Sequence, residues 1–149
     1  CALEASSLAR SLGGDLYYGL GEVSVASALQ LLGRDQEALE HARRSVESFR
    51  NIDSRWGLQT SYLTLGSIQA SLGLTEESLK TAKAIEELAE ELGPTFNTME
   101  SLTVAGDIHL AAGERSRALE SYRKARDIAL SLETPYFREH LGKKISDLS

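Results

Sequence analysis

The sequence predicts an all-α solenoid, a stack of helix pairs, and three observations carry that prediction. The chain repeats every 40 residues: Gly33, Gly73 and Gly113 each follow an apolar run and precede a polar one, in LLGRDQEAL, SLGLTEESL and AAGERSRAL. A fixed period in this range marks stacked supersecondary units. Apolar residues recur at spacings of three and four, as in Leu79, Ala82, Ile85, Leu88, Ala89 and Leu92, while period-two alternation is absent. Finally, the chain has only two prolines, Pro94 and Pro135, so long helices run uninterrupted.

The elements follow in order. Residues 2–12, with Ala2, Ala5, Leu8, Ala9 and Leu12 at helical spacing, read as the end of an earlier second helix. A break is expected at LGGD, 12–15, with further breaks at 52–55, 92–95 and 132–135. Behind each stands a large apolar residue in one register: Leu16, Trp56, Phe96 and Tyr136. First helices, termed A, are expected at 15–32, 55–72, 95–112 and 135–148, and second helices, B, at 35–52, 75–92 and 115–132. Between A and B, Gly33, Gly73 and Gly113 supply the left-handed residue that ends a helix. Asp35 and Thr75 are expected to cap the helix that follows. Small residues at Ala26, Gly66 and Gly106 mark a point where two backbones approach. The outer face of the B helices carries i,i+4 pairs (Glu40 with Arg44, Glu76 with Lys80, Glu120 with Lys124) in the favourable orientation. The organisation is a single array over 1–149: 1–12 from a preceding repeat, three full repeats at 15–52, 55–92 and 95–132, and at 135–149 the first helix of a further repeat or a cap.

Composition narrows the function. The net charge of −6 lacks the basic footprint of a nucleic-acid binder. No apolar stretch approaches the roughly 18 residues that span a bilayer, so no membrane partner is expected. One cysteine, Cys1, rules out an internal disulfide, and a cytoplasmic setting is the default. The only methionine is Met99, which together with the mid-helix start leads to the expectation of a piece of a longer regulatory protein. Leu8 and Leu12 at one end, and Leu141, Ile145 and Leu148 at the other, lack the polar face of a capping repeat. Self-association through uncovered ends is therefore expected.

The repeat itself resembles the tetratricopeptide family. The best match is Tyr62, Leu65-Gly66, Gly73, Glu77-Ser78-Leu79, Ala82 and Ile85, followed by Leu102, Ala105-Gly106, Gly113, Arg117-Ala118-Leu119, Tyr122 and Ala125. The first copy (Val25-Ala26, Gly33, Glu37-Ala38-Leu39, Ala42) departs at Glu22, where the family has a large apolar group. The period of 40 exceeds the family's usual length of about 34. It is similar to the longer subtype of kinesin light chains, polarity scaffolds and bacterial nucleotide-switch regulators. The resemblance implies a right-handed superhelix whose A helices line a concave groove that binds a peptide, a helix or another domain. Carried over by register, the groove residues are Val23, Ser27, Gln30, Leu63, Ser67, Thr103, Asp107 and Lys143. The lysine and asparagine that clamp a carboxylate in some members are replaced by Val23, Leu63 and Ser27, so that activity is not expected.

Chemistry is sparse. His41, His109 and His140 show no metal-ligand spacing. His41 falls on the outer side of a B helix, His109 is expected to pack, and His140 to lie on the surface. Residues 19–24, GLGEVS, lack the preceding strand of a phosphate loop. No nucleophile, base and orienter can be assembled, so neither catalysis, metal nor cofactor is expected. The reading is a non-enzymatic protein–protein interaction scaffold. The alternative is the ligand-sensing repeat domain of a bacterial transcriptional regulator, which would need a closed pocket for a small-molecule inducer.

Overall fold

The computed structural model describes the backbone of residues 2–132 and 135–149, and the side chains of 13–132 and 139–149. Among these the chain is all-helical, with seven helices: α1 (Ala2–Leu31), α2 (Asp35–Asn51), α3 (Arg55–Ser71), α4 (Thr75–Leu92), α5 (Phe96–Ala111), α6 (Arg115–Ser131) and α7 (Pro135–Leu148). Each helix packs on its successor, and the odd-numbered helices also pack on one another, α1 on α3 and α3 on α5. The even helices α2 and α4 are joined by the ion pair of Arg43 with Glu77.

The turns show why the glycines recur. Gly33, Gly73 and Gly113 have φ of +75°, +73° and +81°. At the first, Gly33 N–H donates to the Gln30 carbonyl (3.0 Å) and Arg34 N–H to that of Leu29 (2.8 Å). This pair of bonds is a Schellman motif, which satisfies two carbonyls that the helix end leaves unmet. The same pair recurs at Gly73–Leu74 and Gly113–Glu114. It recurs again at Asp53–Ser54, where Asp53 takes the left-handed position with φ +49°. Aspartate enters this region more cheaply than most side chains.

Two local expectations are corrected. The break at 12–15 is absent: α1 is one helix of 30 residues that passes through Gly13 and Gly14. A helical glycine costs only about 0.8–1 kcal/mol against alanine. Neither Gly13 nor Gly14 has the positive φ that reverses the chain. The segment 2–12 is thus continuous with the first A helix; the side chains of Leu8 and Leu12, like Cys1, Tyr136 and the turn at 133–134, lie outside the described residues. The caps are the second correction. Asp35 and Thr75 are the first helical residues of α2 and α4, preceded by Arg34 and Leu74, and no side chain caps either end. The Schellman turn already carries the chain into the helix, and Asp35 instead adds negative charge to the first turn. Side-chain caps occur at the other junctions, where Ser54 Oγ accepts from Gly57 N–H and Thr95 Oγ1 from Thr98 N–H, both at 3.1 Å.

The small residues permit close approach, but of side chain to backbone rather than backbone to backbone. A Cβ on Gly66 would stand 2.9 Å from Ile108 Cδ1, and one on Gly106 would overlap the Tyr122 ring. Phe49, fully buried, packs on Gly19 of α1 and Gly57 of α3. One period later these three positions hold Ala89, Gln59 and Asn97. The lost ring is offset by larger polar neighbours, and Asn97 Nδ2 donates to Gln59 Oε1 at 3.0 Å. Volume removed at one position is returned at two others, a redistribution that cores tolerate.

Candidate binding groove

Along α3 the positions 56, 60, 63, 67 and 70 recur at helical spacing on one face, and along α5 the positions 96, 100, 103, 107 and 110 do the same. These faces belong to the odd-helix layer. Between α3, α5 and α7 lies a cleft of about 200 Å³ lined by Leu63, Met99, Glu100, Thr103, Val104, His140 and Leu141. Its floor is the buried Met99 and Leu141. Burial pushes the Glu100 carboxyl above the usual carboxylate range.

The eight residues expected in the groove are placed as follows. Leu63 and Thr103 share the cleft, although the Thr103 hydroxyl donates back to the Met99 carbonyl at 2.9 Å. Gln30 Nε2 donates to Ser67 Oγ at 2.8 Å, tying α1 to α3. Val23 packs against the core cluster that includes Phe49 and Ile68, and Ser27 is half-buried. Asp107 accepts hydrogen bonds from the Tyr122 hydroxyl and from Lys144 Nζ, the latter at 2.6 Å, so it joins α5, α6 and α7. Lys144 also sits 5.1 Å from the Tyr122 ring centre. Lys143 is exposed, and its neighbour Lys144 makes the contacts. The stripe therefore divides: part of it binds helix to helix, and Leu63 and Thr103 line open space.

Glu100, Val104 and His140 are cleft residues that the register argument missed. Thr60, Glu100 and His140 stand 40 apart, between the aromatic position and the Leu63 position of the same stripe. That spacing was the available signal.

The histidines on the other side are occupied structurally. His109 is 3% exposed. Its Nε2 lies 2.7 Å from Glu86 Oε1 on α4 and its Nδ1 2.8 Å from Glu114 Oε2 at the start of α6. Two carboxylates require two donors, hence the imidazolium. The bond to Glu86, with Glu114 adding to it, raises the His109 pKa against the opposing effect of burial, and the bond to His109 lowers that of Glu86. His41 is half-buried rather than on the outer side of its helix, with Nδ1 2.6 Å from Glu22 Oε2. This pair accounts for Glu22, whose equivalents are Tyr62 and Leu102: a carboxylate replaces an apolar group where histidine replaces Thr81 and Ser121. Among the described residues no group of His, Cys, Asp and Glu is placed to hold a metal ion, and no helix is long and apolar enough to cross a membrane.

No family model matches the chain. It is similar to a protein named as the ancillary SecYEG translocon subunit of Aggregatibacter actinomycetemcomitans, at 37% identity over 82 residues. The match covers 55% of this chain and 37% of that protein, so the chain spans little more than a third of the relative's length.

Proposed function

We propose that this chain is a non-enzymatic protein–protein interaction module. In this reading it is a right-handed solenoid of tetratricopeptide-like helix pairs whose odd helices present the working groove. The observation that carries it is the cleft between α3, α5 and α7. There, side chains from three successive repeats, including Leu63 and Thr103, meet around open space with an apolar floor. A cleft of about 200 Å³ is smaller than the roughly 300–1,000 Å³ of sites that enclose a whole small molecule. It suits one or two side chains of a polypeptide laid across the helices. Similarity to a protein named as an ancillary translocon subunit supports partners that are themselves proteins. A receptor whose helices are braced by contacts such as Gln30–Ser67 and Asp107–Lys144 loses little freedom on binding, which favours affinity.

The test is selection of random peptides on the immobilised chain, followed by binding of the enriched peptides to the Leu63→Glu variant. The expected result is loss of binding with an unchanged helical circular-dichroism spectrum. Peptides that bind Leu63→Glu as well as the parent would refute the assignment of the groove.

A further inference from the structure

Glu100 is the carboxylate of the cleft. Among the described residues its carboxylate has no hydrogen-bond or ion-pair partner, although it lines a cleft whose other walls are Leu63, Val104, Met99 and Leu141. Among the described residues the one titratable neighbour lining the cleft is His140 of α7. An aliphatic wall beside a half-buried carboxylate forms a mixed surface. It matches the alkyl stem and charged head of a long cationic side chain. The chain's net charge of −6 favours approach of a positively charged partner.

Resting on the groove reading above, we infer that the segment held between α3, α5 and α7 is basic. It inserts a lysine or arginine side chain whose stem lies on Leu63 and Val104 and whose head pairs with Glu100. The pairing supplies the partner that Glu100 lacks among the described residues.

The experiment uses the random-peptide selection and reads the composition of the enriched pool. The parent chain should enrich peptides with lysine or arginine at a fixed position between apolar residues. Replacing that residue by norleucine in a synthetic peptide should weaken binding about fivefold, the size of a partly exposed charge pair. Glu100→Gln should abolish the difference between the lysine and norleucine peptides while both still bind. Enriched peptides that depend on Leu63 but show no basic preference, or keep it against Glu100→Gln, would overturn this inference and leave the groove intact. If neither Leu63→Glu nor the cleft-filling Thr103→Arg weakens any enriched peptide, the groove reading falls and this inference with it.

Discussion

Replacing His109 by glutamine tests the buried clasp between α4, α5 and α6. Glutamine is the residue that the preceding repeat holds in this register, at Gln69, so the fold accommodates its size. In the parent, the imidazolium donates to Glu86 at 2.7 Å and to Glu114 at 2.8 Å. Each hydrogen bond to a charged group is worth about 1.5–3 kcal/mol when buried. The Glu86 and Glu114 side chains are 35% and 33% exposed, and solvent screening reduces the sum, so the expected loss is roughly 1–3 kcal/mol. The pH dependence has a definite sign. The folded pKa of His109 is raised above 6.5, so its contribution is complete below that value and disappears as pH rises through the raised pKa. The folded pKa of Glu86 is lowered below 4.5, so its contribution is present above that value and disappears as pH falls through the depressed pKa. The clasp is therefore strongest between these ordinary values, near about pH 5.5. Thermal melts followed by circular dichroism should show the variant several degrees below the parent at that pH, at about 2–4 °C per kcal/mol for a chain of this size. The deficit should shrink as the pH is raised through the raised pKa of His109, because neutral imidazole can donate to only one carboxylate. A deficit that stays constant or grows would refute the imidazolium clasp.

Three further substitutions separate the kinds of glycine. Gly73→Val, at φ +73°, should destabilise by at least ~1–2 kcal/mol, and an unchanged melting curve would contradict the turn. Gly106→Ala places a methyl group in the Tyr122 ring and should cost about 1–3 kcal/mol. Gly13→Ala, within α1 and with nothing near its Cβ, should raise stability by about 0.5–1 kcal/mol; a loss there would argue against the continuous helix. Glu100→Gln should stabilise the free chain at neutral pH by less than about 1 kcal/mol, because burial disfavours the ionised carboxylate. That gain should fade as the pH falls below the raised pKa, where Glu100 is protonated, and chemical denaturation at neutral and acid pH measures it.

The 40-residue period, the all-α class and the left-handed turns at Gly33, Gly73 and Gly113 were legible in the sequence. These depend on local chemistry: apolar spacing selects the helix, and a missing Cβ selects the turn. Local rules misled at LGGD, because glycine weakens a helix without ending it, and at Asp35, because the Schellman turn left the cap position to Arg34. Which stripe residues share open space was a tertiary matter. Leu63 and Glu100 lie 37 residues apart and meet only because α3 packs on α5. Ser67 carries a hydroxyl suited to a ligand, yet it accepts its bond from Gln30, also 37 residues away. Phe49 reads as one more apolar residue until Gly19 and Gly57 are seen against its ring. Periodicity reports which face of a helix turns inward, whereas the partner that side chain meets is chosen by the packing of helices distant in the chain.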